Sequence, residues 1–310
     1  MLDLVGLTKV YGDLTAVSDL NLHLDPGDVF GFIGPNGAGK TTTIKMLATL
    51  LRPTAGDALV NGVSIVTQPE QVRGLIGYMP DTFGVYDDVK VWEYLDFFAA
   101  AYRLPRERRG PVIEEVLELT DLTSKREAFV EELSRGMKQR LCLAKTLLHD
   151  PPLLLLDEPA SGLDPRARLE LRDLLRGLQR SGKTIFISSH ILSELADVCT
   201  KVGIIEAGRL VAAGTTEEII AAAGLTRTLA ITATAGLELI EPLLAGRHGV
   251  QDVVVDFAAH TARIGFAGTL DDVPDLLLTL LQGGVKVTGA VEGASDLEGL
   301  FLRLTRGQVA

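Results

Sequence analysis

The stretch Gly34-Pro35-Asn36-Gly37-Ala38-Gly39-Lys40-Thr41-Thr42 decides the fold of this chain. It matches G-x-x-x-x-G-K-[ST], the phosphate-binding P-loop, with an apolar run at 29–33 that predicts a strand before it and a helix-like run at 44–51 after it. The glycines let successive N–H groups face one concavity, and a helix N-terminus favours anions. Lys40 adds positive charge near the β- and γ-phosphates, and Thr41 offers a hydroxyl to Mg²⁺.

Length and composition place the chain among acidic globular proteins. Its 310 residues suffice for one large domain or two modest ones, 46% are hydrophobic, and the net charge is −11. This balance argues against nucleic acid as a partner, which favours a basic face. Cys142 and Cys199 lack metal-ligand spacing and are expected to be reduced core thiols. We expect neither a signal peptide nor a transmembrane helix, so work at a membrane would need a second chain to supply the span.

The order of strand-like and helix-like segments predicts an α/β domain. Alternation through residues 29–205 indicates a mostly parallel sheet covered by helices. Residues 2–24 predict short antiparallel strands with Tyr11-Gly12 in the turn, and Asn61-Gly62 predicts a hairpin. Residues 91–149 are expected to be mostly helical.

Two carboxylates at the end of a wholly apolar strand are the second candidate for chemistry. Asp157 and Glu158 directly follow Leu153–Leu156, a run typical of a central parallel strand. Carboxylates at the carboxyl end of such a strand point into the crevice where open α/β sheets bind ligands. His190 follows the next core strand, 184–189. Ser134 is placed to cap a helix, and such a helix end is either a simple cap or a phosphate contact.

A smaller module is predicted beyond a boundary near Ala221–Thr226. Its order β-α-β-β-α-β indicates a ferredoxin-like fold, and we expect regulation, dimerisation or docking from it. His248 and His260 have no partner at metal-ligand spacing. The expected elements are strand 228–234, helix 236–245, strands 250–256 and 261–266, helix 270–282, strand 285–290 and helix 295–305.

These motifs, in this order, resemble the ATP-binding subunit of an ABC transporter, above all the ABC-2-type exporters of the drug-resistance kind. The resemblance covers residues 2–218 by motif, and the last module is similar to the extension of such subunits. It implies a P-loop NTPase fold with a central mostly parallel sheet, an antiparallel β subdomain and a helical subdomain at about 88–150. The expected domains are an ATP-binding domain at 1–220 and a ferredoxin-like accessory domain at 225–310.

The resemblance also implies roles for individual residues. Leu133-Ser134-Arg135-Gly136-Met137 matches the LSGGQ signature, with Arg135 for the first Gly and Met137 for the Gln. Ser161–Asp164 matches the D-loop. The implied nucleotide-binding residues are Tyr11, which stacks on adenine, Gly34, Pro35, Asn36, Gly37, Ala38, Gly39, Lys40, Thr41, Thr42, Ser134, Gly136 and Asp164. The implied catalytic residues are Glu158, His190 and Lys40, and the implied Mg²⁺ ligands are Thr41, Asp157 and Asp81.

Asp81 is a departure from the family pattern. The family usually has Gln at this position, in the loop that senses Mg²⁺ and links to the membrane subunit. A carboxylate there would repel the γ-phosphate by about 4 kcal/mol at 4 Å and an effective dielectric near 20, unless a cation lies between them. We expect Asp81 to join the metal shell and the chain to hydrolyse ATP.

The implied activity is Mg²⁺-dependent ATP hydrolysis that powers a separate membrane permease. One P-loop and one signature per chain imply a homodimer that encloses two ATP molecules, located in the cytoplasm on the inner face of the cell membrane. One alternative is an ABC ATPase of DNA repair, but the chain lacks the long inserts of that class. A GTPase switch lacks its Asn-Lys-x-Asp stretch here, and a regulatory nucleotide sensor requires Asp81 to prevent hydrolysis.

Overall fold

The computed structural model describes residues 1–82, 84, 88–191, 198–215, 218–219, 227–247, 249–266 and 272–293. The chain forms two compact units, divided between Ala213 and Gly214. The predicted boundary near Ala221–Thr226, His248 and the helix expected at 295–305 lie outside the described residues. All of the predicted site residues belong to the first unit.

An antiparallel sheet of four strands opens the first unit. Its strands are β1 Leu2–Tyr11, β2 Leu14–Leu24, β4 Ala55–Val60 and β5 Val63–Ser64, with β3 placed in the next sheet. Their order is β2-β1-β4-β5. The predicted hairpin joins β4 to β5, and its residues Asn61 and Gly62 have φ of 50° and 80°, the positive values that a type I′ turn requires. Tyr11 is the last residue of β1 and pairs with Leu14, so only Gly12 and Asp13 form the turn that we expected at Tyr11-Gly12.

A six-stranded sheet forms the centre of this unit. Its strands are β3 Val29–Ile33, β6 Ile76–Met79, β7 Leu153–Leu156, β8 Thr184–Ser189, β9 Lys201–Glu206 and β10 Arg209–Gly214. The order is β10-β9-β3-β8-β7-β6, and β6, β7, β8, β3 and β9 pair in parallel. All four leucines of β7 are fully buried, as expected of a strand covered on both faces. Since β3, β8 and β7 are neighbours and parallel, the segments after them meet at one edge.

Six helices accompany these sheets in the described part of the first unit. They are α1 Lys40–Leu47, α2 Pro69–Leu75, α3 Val91–Ala101, α4 Arg106–Leu119, α5 Arg135–Leu147 and α6 Pro165–Arg180. Helices α3, α4 and α5 pack on one another and form the predicted helical subdomain. Helix α1 begins within the P-loop motif, earlier than the apolar run suggested. We did not predict α2, whose single buried residue, Val72, gives almost no periodic signal.

The second unit carries a separate core. Its elements are β11 Arg227–Ala233, α7 Ile240–Leu244 after a 3₁₀ turn at Leu237–Leu239, β12 Val250–Asp256, β13 Thr261–Phe266, α8 Val273–Gln282 and β14 Val287–Gly293. The antiparallel order β12-β13-β11-β14 and the β-α-β-β-α-β succession are those of a split βαβ module. Ile231 and Ile264 from the sheet pack with Leu244 and Leu280 from the helices, and all four are fully buried.

Candidate active site

The P-loop connects β3 to α1 through backbone conformations that favour glycine. Gly37 and Gly39 have φ of 83° and 105°, and Gly39 is the residue that precedes α1. A Cβ on Gly39 would lie 2.5 Å from the carbonyl oxygen of Ala16, and a Cβ on Gly34 would overlap the carbonyl oxygen of Ile205. The loop is therefore held against β2 and β9 by contacts that leave no space for side chains.

Lys40 is almost completely buried and directed into this loop. Its Nζ donates to the carbonyl oxygens of Gly34 at 2.7 Å and Pro35 at 3.1 Å, and lies 3.4 Å from Oε1 of Glu158. Burial lowers the pKa of Lys40, and the negative charge of Glu158 opposes that shift. The ammonium group is thus held between the P-loop and the acid pair that follows β7.

Asp157 lies beside the first turn of α1 and is fully buried. Its Oδ1 accepts hydrogen bonds from Ser188 Oγ at 2.7 Å and Thr41 Oγ1 at 3.2 Å. Its Oδ2 is buried and has no hydrogen-bond partner. Burial raises the pKa of Asp157, the hydrogen bonds from Ser188 and Thr41 oppose that rise, and the negative charge of Asp81 adds to it. A buried carboxylate oxygen without a partner, next to a threonine hydroxyl, has the donor chemistry that Mg²⁺ prefers.

Glu158 contacts two of the other predicted site residues, Lys40 and His190. Besides its contact with Lys40, its Oε2 lies 2.7 Å from Nδ1 of His190. Its backbone N–H donates to Ser188 Oγ at 3.0 Å. Glu158 also has φ of 47°, a conformation that is uncommon outside glycine and is concentrated at functional sites.

A cavity of about 330 Å³ opens over the P-loop. This volume lies in the range of small-molecule sites. Residues of β1 and β2 supply the apolar groups, and the P-loop and Glu158 supply the polar ones. Its lining residues are Tyr11, Leu14, Ala16, Asn36, Gly37, Gly39, Lys40, Thr41, Thr42 and Glu158. The site can therefore combine an apolar, aromatic surface for a base with a cationic, amide-rich surface for phosphates.

Asp81 lies in the loop after β6. Its Oδ1 accepts a hydrogen bond from the backbone N–H of Thr82 at 2.7 Å. Its charge helps to raise the pKa of Asp157, and it contributes, after burial and the charge of Asp157, to a pKa of about 12 for Tyr78. Within the described residues, no three His, Cys, Asp or Glu side chains are grouped so that they could hold a metal ion.

Six of the predicted nucleotide-binding residues do not line the cavity. Three of them belong to the P-loop itself, namely Gly34, Pro35 and Ala38. The other three are Ser134, Gly136 and Asp164. Ser134 caps α5, with Oγ accepting from the N–H of Met137 at 3.3 Å. Asp164 caps α6, with Oδ1 accepting from the N–H of Ala167 at 2.9 Å. Gly136 lies between these helix ends, where a Cβ would approach Ala167 Cβ to 3.2 Å. Within one chain, Ser134, Gly136 and Asp164 therefore lie at the beginnings of α5 and α6, outside the lining of the cavity.

Ser188 is the site residue that sequence reasoning missed. It is fully buried and binds both acids, Asp157 through its carboxylate and Glu158 through its N–H. The signal was present, because two serines end the otherwise apolar run of β8. We selected only His190 from that end of the strand.

Comparisons with known proteins show the family of this chain. A family model described as ABC transporter matches residues 17–161. The Nod factor export ATP-binding protein I of Cupriavidus metallidurans is 33% identical, and the match covers 98% of this chain and 97% of that protein. The chain belongs to the ABC transporter family. This ABC subunit is also 38% identical to the probable multidrug ABC transporter ATP-binding protein YbhF of Escherichia coli K12, over 69% of this chain and 37% of that one.

Solved structures agree on the fold of this ABC subunit. The structure of an ATP-binding subunit of an ABC transporter has a TM-score of 0.66 at 32% identity, and the match covers 72% of this chain and 93% of that subunit. A bacterial cassette, MJ0796, has a TM-score of 0.63 over 69% of this chain at 24% identity. The predicted P-loop NTPase fold and ABC membership are confirmed, and the chain is an ATP-binding ATPase subunit of a transporter. In the described residues, no helix is both long and apolar enough to cross a membrane.

Proposed function

We propose that this ABC subunit powers export through a separate membrane permease. Relatives of nearly the same length are named for Nod factor export, including proteins of Cupriavidus metallidurans and Rhizobium meliloti, and a shorter match is named for multidrug transport. The observation that carries the proposal is that Lys40 and Glu158 line one cavity as an ion pair, and that Asp157 is bound to Thr41 of the same lining with one carboxylate oxygen left without a partner. The same relatives favour transport over the alternative of a DNA-repair ATPase.

In the proposed mechanism, the cavity orients ATP for attack by water. Tyr11 stacks on the adenine, while Asn36, Gly37 and Gly39 hold the phosphates through the P-loop. Lys40 neutralises charge that develops on the γ-phosphate. Glu158, with one oxygen 2.7 Å from His190, accepts a proton from the attacking water, and His190 orients both.

Mg²⁺ is the cofactor that we assign to this site. When bound, it supplies charge neutralisation across the β- and γ-phosphate oxygens. Thr41 and Asp157 are its proposed protein ligands, because the hydroxyl and the unpartnered Oδ2 supply oxygen donors beside the phosphate cradle. Ser188 orients Asp157 from the opposite side.

Asp81 is proposed as a further member of the metal shell, directly or through water. The negative charge of Asp81 is close enough to raise the pKa of Asp157. A cation between the two carboxylates would offset this repulsion. Replacing Asp81 with Gln, the usual family residue, should leave hydrolysis within a few-fold of the original. If Asp81→Gln instead restores hydrolysis to an inactive protein, Asp81 belongs to a regulatory sensor and this assignment is wrong.

Two copies are proposed to act together. Ser134, Gly136 and Asp164 are absent from the cavity of their own chain, which supports the family arrangement in which they close over the nucleotide of a second copy. ATP would then shift the population toward a closed dimer, and hydrolysis would release it. We further propose that the permease contacts the segment after Asp81, on the cytoplasmic side of the membrane.

The decisive experiment is to measure Mg²⁺-dependent ATP hydrolysis by the purified chain and by Glu158→Gln. A positioned general base contributes about 10²–10⁴-fold, so the variant should turn over at least about a hundredfold more slowly. Glu107→Gln, an exposed glutamate in the first turn of α4, is the matched control and should be unchanged. Gel filtration of Glu158→Gln should give a dimer with Mg-ATP only. Normal turnover or an ATP-independent monomer would refute the mechanism.

A further inference from the structure

The signature segment, Leu133–Met137, contacts the D-loop through Arg135, one of its two departures from the family motif. Arg135 stands where the motif has its first glycine, and its Nη2 donates to the carbonyl oxygen of Ser161 at 3.2 Å. The guanidinium also covers Gly162, because a Cβ at that glycine would overlap it. Gly162 has φ of 69°. Arg135 therefore occupies space that a side chain at position 162 would need.

Ser161 is in turn joined to Glu158. Its backbone N–H donates to the carbonyl oxygen of Glu158 at 3.0 Å, closing the turn in which Glu158 has its positive φ. Ser161 thus binds Glu158 through its backbone N–H and Arg135 through its carbonyl oxygen. A single hydrogen-bonded path runs from the first residue of α5 to the glutamate beside Lys40.

Residues other than Arg135 also join α5 to its neighbours in the fold. Gly136 approaches Ala167 closely, and Arg140 Nη2 lies 3.7 Å from Oε2 of Glu170. Arg140 also binds Asp121 at 2.9 Å. Arg135 is exposed and takes no part in these contacts, so loss of its side chain should loosen the turn and leave the fold intact.

We propose that Arg135 is a positioning residue that couples the signature segment to the orientation of Glu158 through Ser161. The inference rests on the proposed role of Glu158 in hydrolysis. Arg135 touches neither the cavity lining nor Lys40, and it acts through the turn 158–161. A glycine at position 135 has no group to make this connection, so the device is a property of this chain.

The first test compares Arg135→Ala with Arg166→Ala. Arg166 is an exposed arginine at the start of α6 whose guanidinium binds Glu170 in the next turn, which makes it a matched control. Arg135→Ala should lower kcat by about three- to tenfold, the range of one hydrogen bond, with the KM for ATP unchanged. Arg135→Lys, which keeps a donor, should recover part of the loss. Equal kcat in all variants would overturn the proposal.

The second test is a double-mutant cycle with Gly162→Ala. A methyl group at position 162 should expel the guanidinium, so Gly162→Ala and Arg135→Ala should affect kcat through the same contact. The double variant should therefore be no slower than Gly162→Ala alone. The strain of alanine at positive φ is present in both backgrounds and cancels. Fully additive losses of kcat would show that the two residues act separately, which contradicts the proposal.

Hydrogen exchange gives a readout independent of activity. Amides of residues 160–163 should exchange about threefold or more faster in Arg135→Ala than in the original chain or Arg166→Ala, with the unfolding midpoint unchanged. Unchanged exchange would refute the coupling through Ser161. If Glu158→Gln keeps normal turnover, the proposed function fails first. If Glu158→Gln is inactive and Arg135→Ala behaves like the original in both assays, only this inference fails.

Discussion

Lys40 and Glu158 form an ion pair inside the cavity, with Nζ 3.4 Å from Oε1. Phosphate oxygens of an incoming nucleotide must compete with this carboxylate for the ammonium. We predict that Glu158→Gln binds ADP about three- to tenfold more tightly, about 0.6–1.4 kcal/mol, because an amide holds Lys40 less strongly than a carboxylate does. Titration calorimetry with ADP measures this change. Weaker binding by Glu158→Gln, with Glu107→Gln unchanged, would contradict the competition.

Ser188 is predicted to hold both Asp157 and Glu158 in position. Ser188→Ala removes the donor to Asp157 Oδ1 and the acceptor for the N–H of Glu158. Hydrogen bonds to charged groups contribute about 1.5–3 kcal/mol, so kcat should fall by about tenfold or more and the Mg²⁺ concentration for half-maximal rate should rise. Ser181→Ala is the control, since that hydroxyl binds only the carbonyl of Leu178 at the end of α6. A normal Mg²⁺ requirement in Ser188→Ala would exclude this role.

Asp157 gives a pH-dependent prediction for stability. Burial raises its folded-state pKa above the ordinary value, so the folded state favours the protonated form. The corresponding stability is present below the unfolded pKa of about 4 and is lost as the pH rises through the folded pKa. Nucleotide-free Asp157→Asn should therefore melt a few degrees higher than the original at pH 7, and the difference should vanish near pH 4.

The control for that comparison is Asp13→Asn, in the exposed turn after β1, which should not change the melting temperature. Asp157→Asn should also lose the stabilisation that Mg-ATP gives to the original chain. Thermal melts from pH 4 to pH 8, with and without Mg-ATP, measure both effects. A lower melting temperature for Asp157→Asn at pH 7 would show that burial of the charge is not the dominant cost.

Replacing glycine with alanine is predicted to lower the stability at one position and to raise it at another. In Gly34→Ala, the new Cβ would overlap the carbonyl oxygen of Ile205, so the P-loop must shift and stability should fall by about 2–3 kcal/mol. Gly177→Ala, inside α6 where a Cβ meets no heavy atom of another part of the described structure within 4 Å, should raise stability by about 0.5–1 kcal/mol. Urea unfolding measures both changes. Equal effects at the two positions would refute the packing argument.

Much of this candidate site could be predicted from local patterns, because most of its residues lie next to one another in short stretches of sequence. The P-loop needs glycines, a lysine and a threonine next to one another, and Asp157 with Glu158 ends a uniformly apolar strand, so each could be read from adjacent residues. The convergence of these stretches followed from a general rule for parallel sheets. The roles proposed for Tyr11, His190 and Asp81 required the family resemblance, since a single residue carries no pattern.

The sequence by itself determined the phosphate cradle, the acid pair and the β-α-β-β-α-β succession of the second unit, because backbone conformation and strand burial are encoded by neighbouring residue types. Only the tertiary structure decided that Ser188 serves both acids and that Arg135 reaches Ser161. Those contacts join residues 26 to 31 positions apart in the chain. Side-chain geometry across such distances depends on how strands and helices pack, which no local pattern of residues records.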